Sequence, residues 1–342
     1  MKRLLRARPR QRGFSLMEVT VVMAITTVVL IIVMEMLTNA MQTSLFVESR
    51  NDLPIMAQSA VNTMQSNIFQ ARQIFEQDTI GQDYWKSLDF SSVPAAQTNS
   101  LQPVINEPGS FVPDDGTRYT GNCLLVARHL TPLIVSTGGA PAQVLADRYE
   151  LNVFYLTRNN ARSFASQGYT LDLYQAKTLP YADYDQLADL ATKLTTAQMK
   201  AINKALTDNS VNYAWNPETP VTSAFYSINA DGTMTLSSTH KPKLVASLSK
   251  SLLTGLTGGR VSGRMAYTVG FRKSDGSKFP VTEIIPKYAA FDGTKPEFPS
   301  GLEFLVVGPQ GSRRILARLV LVAQYGANKW DSREVSVITS AR

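Results

Sequence analysis

The most extended pattern in the chain is an apolar run at its beginning. From Phe14 to Leu37 only Glu18 and Glu35 are charged, and the residues from Val19 to Met34 carry no charge at all. At 1.5 Å per residue, Phe14 to Met34 makes about 31 Å of helix, roughly the hydrocarbon thickness of a bilayer. After Leu37 the pattern becomes one-sided. Leu53, Met56, Ala60, Met64, Ile68, Ala71 and Phe75 recur at steps of three or four, the mark of a helix with one apolar stripe. No glycine lies between Phe14 and Ile80, and Pro54 is the only proline there. The pattern therefore predicts one long helix, with a membrane-spanning half over 14–37, an amphipathic half over 38–80, and a bend at Pro54.

From Gly81 the texture changes to short β-type runs separated by glycine- and proline-containing turns, and a globular head is expected over 81–342. Residues 81–117, rich in Pro, Ser, Gln and Asp, predict a long connection with little regular structure. Strands are expected at Asn122 to Leu130, Arg148 to Arg158, Arg264 to Arg272, Leu302 to Val307, Arg314 to Tyr325 and Glu334 to Thr339. Gly308-Pro309-Gln310-Gly311 supplies a turn between two of them, which suggests an antiparallel meander. Leu151, Val153 and Tyr155 alternate with Asn152 and Phe154, so one face is expected to be buried against the long helix. Between the strands, Leu187, Leu190, Leu194, Met199, Ile202 and Leu206 predict a helix from about Tyr184 to Leu206, inside an insertion or small subdomain at about 159–260. The fold class is α+β, a long N-terminal helix on an antiparallel sheet, with a helical insertion and no internal repeat.

Charge changes the picture only at the N-terminus. Lys2, Arg3, Arg6, Arg8, Arg10 and Arg12 fall in the first twelve residues with no acid among them, and removing these six from the formal +7 leaves +1. The basic balance is thus a membrane-topology signal rather than a nucleic-acid-binding face. It keeps the N-terminus cytoplasmic and puts everything after Leu37 on the outer side, in the inner (cell) membrane of a single-pass protein. A secretory signal peptide cut near Thr38-Asn39-Ala40 is disfavoured, because the apolar region is too long and has a glutamate at each end.

Glu18 needs an explanation, since an ionised carboxylate in hydrocarbon costs several kcal/mol unless paired. The string Gly13-Phe14-Ser15-Leu16-Met17-Glu18-Val19-Thr20, after a basic leader and before the apolar run, resembles the class III signal of type IV pilins and pseudopilins. The resemblance implies that residues 1–13 are a leader removed by a prepilin peptidase/methyltransferase cutting after Gly13. It implies N-methylation of the new N-terminal Phe14 and an assembly role for Glu18, opposite the Phe14 amine of a neighbouring subunit. The layout of long helix and head is also pilin-like. Glu35 departs from the pattern, falling where many major pilins carry a helix-bending proline.

The head offers no catalytic constellation. Neither His129 nor His240 has a cysteine or carboxylate at metal-ligand spacing, so no metal or cofactor is expected. Asp114-Asp115-Gly116 lacks the alternating oxygen ligands of a calcium loop and reads as a turn. Gly-x-Ser-x-Gly and phosphate-loop motifs are absent. Trp85, Trp215 and Trp330 are scattered and read as packing residues, and Cys123, the sole cysteine, as core. The expected function is therefore structural rather than enzymatic: a minor pilin or minor pseudopilin of a type IV pilus or type II secretion-like filament. Its partners would be the peptidase, other pilin or pseudopilin subunits, an inner-membrane assembly platform and membrane lipid, with no nucleic acid. The rival is a permanently anchored single-pass binding or sensor protein with an outer ligand-binding domain.

Overall fold

The computed structural model describes residues 15–96, 100–107, 121–159, 169–245, 266–268, 270–272, 302–326 and 329–341. The chain divides into two units, Met1–Ser49 and Arg50–Arg342. The helix α1, Leu16–Phe69, supplies the described part of the first unit and continues into the second. Pro54 lies inside it and has no N–H for the carbonyl one turn back, at Arg50.

Within the second unit the predicted apolar stripe is buried. Met56, Ala60, Met64 and Ile68 are each at most 4% exposed, joined by Ala57 and Val61. The helix nevertheless ends at Phe69 and not near residue 80. Ala71–Phe75 forms strand β1, antiparallel to β3 (Leu124–Ser136), with Ile74 opposite Val126 and Phe75 opposite Leu125. Ala71 and Phe75 fit the helical periodicity because a step of four keeps two residues on one side in either a helix or a strand. Partner strands then decide between them. The stretch expected to be irregular begins with helix α2, Thr79–Ser87, whose N-cap Asp78 accepts from the Gly81 N–H at 2.6 Å. Strand β2, Ile105–Asn106, follows.

Among the described residues the larger sheet has ten strands. Its path runs from β1 and β3 to β4 (Gln143–Asn159), β6 (Tyr181–Asp183), β7 (Tyr213–Trp215), β8 (Phe225–Ile228) and β9 (Met234–Leu236). Strand β5, Tyr169–Thr178, pairs with β4 and in turn with β10 (Leu244–Val245) and β12 (Gly270–Arg272). The second sheet has the order β11 (Ala266–Thr268), β14 (Arg314–Gly326), β13 (Leu302–Val307), β2, with β15 (Lys329–Ser340) on β14. All six expected strand regions carry strands, and β13 has the expected bounds. The β13–β14 hairpin turns at Gly308-Pro309-Gln310-Gly311, where φ of +97° and +83° at the two glycines requires residues without a Cβ.

Two expectations change in the head. The single helix over Tyr184 to Leu206 is two helices, α3 (Tyr184–Lys193) and α4 (Thr196–Asp208). Leu194 is extended, and Thr195 and Gln198 form a reciprocal capping box that starts α4. The region read as an insertion into the head or a small subdomain contributes to the larger sheet. Its strands β6 to β9, with the short helix α5 (Val221–Ala224), continue the larger sheet, and α3 and α4 pack over the ends of β3 and β4 through Val135, Ala146, Leu187 and Ile202.

Both faces of β4 are buried, where one was expected. Leu151, Val153 and Tyr155 face a core with Phe75, Tyr84 and Trp215. The α1 side carries Glu150, as Arg128 shows by bonding both Asn67 of α1 and, at 3.6 Å, Glu150. Asn152 bonds Glu150 at 3.1 Å, and Lys177 reaches its second oxygen at 3.2 Å. Phe154 lies 6.4 Å from Phe304 of the second sheet, ring centre to ring centre. Because all five residues from Leu151 to Tyr155 are buried, alternation of side chains carries no information about which layer covers which face.

Candidate functional site

Among the described residues, the first unit presents an apolar helix exposed along its length. Between Leu16 and Ser44 its mean hydropathy is 2.6 and none of it is buried. Met17, Val22, Leu30 and Ile31 are 57% exposed or more, and at 3.6 residues per turn they point to different sides of the axis. A helix apolar all round and left uncovered is a helix for lipid or for a bundle of its own kind. It is rich in Val, Ile and Thr, which are mediocre helix formers in water. In hydrocarbon that weakness is irrelevant, because every backbone group must be satisfied within the segment. The threonines need no outside partner either. Thr20, Thr26, Thr27 and Thr38 each donate to the carbonyl four residues earlier at 2.7–2.8 Å.

At its start the helix is closed by a reciprocal cap. The Ser15 N–H donates to Glu18 Oε2 at 2.8 Å, and the Glu18 N–H donates to Ser15 Oγ at 3.2 Å. This places the Glu18 carboxylate beside the first described peptide group. It also stands at the positive end of the helix, where a negative charge is stabilised. Glu35 is seventeen residues on, about 26 Å along the axis, so the two carboxylates bracket a length close to the hydrocarbon core. The Ser-x-x-Glu spacing is the sequence signal from which this cap can be read. Gly13 and Phe14 lie outside the described residues, as does Asp114-Asp115-Gly116.

The histidines are in different settings from those expected. Although His129 has no carboxylate near it in sequence, the β3–β4 register brings Asp147 to 3.3 Å from its Nε2. Gln186 of α3 holds the other Asp147 oxygen at 3.1 Å. Among the described residues no group of three His, Cys, Asp or Glu side chains gathers at metal-binding distance. Cys123 is buried, and burial pushes its thiol well above the usual range. Trp215 is also buried and donates to the Tyr84 hydroxyl at 3.1 Å, whereas Trp85 is only partly covered.

His240 packs against Tyr213, Phe225 and Tyr181, with ring centres 3.9, 4.8 and 5.9 Å away. Burial lowers its pKa from 6.5 to about 4, so the folded protein favours the neutral ring. Between these values the unfolded chain binds more protons than the folded one, and stability rises with pH. The contribution of His240 is complete above about pH 6.5 and is lost as pH falls towards 4. Allowing for its partial exposure, this amounts to on the order of 1 kcal/mol. Urea unfolding of the wild type and His240→Phe across pH 4 to 7 checks it: the variant is expected to show the shallower pH dependence, and equal slopes would refute the assignment.

Residues 8–34 match the family model for the prokaryotic N-terminal methylation motif. No curated protein and no solved structure matches the chain. The matched span runs from the basic leader through Glu18 to the end of the uncharged run, and so coincides with the capped, uncovered helix. The motif overlaps the start of an apolar, exposed helix that fits a membrane anchor, and it is the mark of a prepilin-type processing substrate. The chain is type IV pilin-like.

Proposed function

We propose that the protein is a minor pilin or minor pseudopilin, a structural subunit of a type IV pilus or type II secretion-like filament. The observation that carries this reading is the coincidence of the methylation motif at 8–34 with an apolar helix that the described residues leave uncovered. Residues 1–13 are the cytoplasmic leader, the cut falls between Gly13 and Phe14, and Phe14 is the methylated N-terminus. The head stands outside the membrane. Assembly exchanges lipid for neighbouring helices around the apolar half of α1. The two surroundings are similarly apolar, so packing and polar pairing decide the direction.

Glu18 supplies that pairing. Leader removal creates an ammonium group four residues before a carboxylate, and both are costly to bury alone. In a parallel bundle the Glu18 of one subunit and the Phe14 amine of the next offset each other at only one axial offset. The minor role is supported by the size of the head of this 342-residue chain, whose described residues alone form a ten-stranded and a five-stranded sheet.

Mass spectrometry of the mature N-terminus tests the reading. A chain beginning at N-methylated Phe14 is expected. An intact Met1, or a start near Met41, would assign the helix instead to a permanent anchor or to a signal peptide.

A further inference from the structure

Beside α2 the head carries an open groove of about 470 Å³, within the range of small-molecule sites. Its apolar wall is made by Trp85 and Phe90, whose ring centres are 6.0 Å apart at 57°. Phe90 is held from behind by the edge-on ring of Tyr155, at 5.4 Å. The polar wall has the amides of Gln77 and Gln82, backed by Gln102, which is 2% exposed and turns its own amide to the Glu76 and Gly81 carbonyls. The Gln102 backbone N–H donates to Gln77 Oε1 at 2.9 Å, which sets the plane of the Gln77 amide. Lys86 is the only charged residue among the described lining residues, and it lies at the rim, 69% exposed and 3.9 Å from Asp83.

We propose that this groove binds a neutral sugar ring, presented as a monosaccharide or the end of an oligosaccharide. A pyranose has one face of polarised C–H groups and an equator of hydroxyls. The negative face of an aromatic ring attracts the first, and an amide, donor and acceptor at once, suits the second. The groove offers both within one cavity and no buried charge that a neutral ligand would leave unpaired. The sequence allowed Trp85 to be read as core. The fold separates it from Trp215, which has no exposed surface, and leaves its ring partly open to the groove.

The test is tryptophan fluorescence of the full-length protein, in a detergent without a sugar headgroup, titrated with neutral hexoses, N-acetylhexosamines and their disaccharides. A saturable change in the millimolar range is expected for at least one of them. With affinity read by ligand-observed NMR, which does not depend on the tryptophan replaced, Trp85→Ala should lower it at least tenfold and Gln82→Ala severalfold, with far-UV circular dichroism unchanged. Should Trp85→Ala fail to fold, Gln82→Ala together with ligand-observed NMR decides. The proposal is overturned by no saturable response to any neutral sugar, by affinity unchanged in the folded variants, or by a response confined to acidic sugars or peptides. Leader processing plays no part in this readout, so the result is independent of the filament reading.

Discussion

In Glu18→Ala protein the leader is expected to be removed normally, while the fraction of mature subunit recovered in filaments falls by about a hundredfold or more. In the proposed mechanism cleavage depends on the segment around Gly13 and Phe14, which the substitution leaves intact, and assembly depends on the carboxylate. Removing one partner of a charge pair shielded from water costs about 3 to 5 kcal/mol, because the other charge stays buried. About 1.4 kcal/mol is a factor of ten in a binding constant. The capping contact refines the expectation. Glu18 Oε2 accepts from the Ser15 N–H of its own chain at 2.8 Å, so Glu18→Ala removes a helix cap as well as a pairing group. Glu18→Gln keeps a side-chain acceptor for that N–H and loses the charge. Incorporation that is poor in both variants assigns the effect to charge, and recovery in Glu18→Gln assigns it to capping. The measurement is the ratio of subunit in sheared filaments to subunit in membranes. Wild-type incorporation of Glu18→Ala would remove Glu18 from the assembly mechanism.

The second large effect is expected far from the membrane. Glu303 and Arg318 lie directly opposite each other on β13 and β14, 2.9 Å apart, and each side chain is 3% exposed. Glu303→Ala leaves the guanidinium of Arg318 in the sheet without this carboxylate, at a cost of about 3 to 5 kcal/mol. That is a large fraction of the 5 to 15 kcal/mol typical of a folded domain. Replacing both residues by Met should cost much less, because the desolvation penalty disappears with the charges. The exposed pair Lys193–Asp189, 2.7 Å apart on α3, is the control, with Asp189→Ala costing at most about 1 kcal/mol. Urea unfolding of the full-length protein in detergent reads all three. A loss below about 1 kcal/mol for Glu303→Ala would show that the pair contributes little.

Both predictions rest on pairs, and the pairs differ in how visible they are in the sequence. Ser15 and Glu18 are three residues apart, and the Ser-x-x-Glu pattern is readable from neighbours along the chain. The same is true of Thr195 and Gln198, which divide α3 from α4 even though the leucine spacing on either side favours one helix. Glu303 and Arg318 are fifteen residues apart, and Arg128 and Glu150 twenty-two; no local pattern announces them. Strand β5 escapes a reading by pattern although Leu171 and Leu173 flank Asp172 in alternation, because its surroundings are rich in Ser, Asn and Gly. Strands β6 and β7, of three residues each, are shorter than any period can resolve.

The sequence alone determined the lipid-compatible helix, the basic N-terminal segment, the position of Glu18 and most of the long strands. Each of these depends on composition or spacing among residues that are close along the chain. Only the tertiary structure decided that α1 gives way to a strand at Ala71, that α1 covers the polar side of β4, that the strands form two sheets, and that Trp85 stands at a groove. Those outcomes turn on which distant segments meet and in what register. A step of four suits a helix and a strand equally, and a strand buried on both faces does not reveal its neighbours.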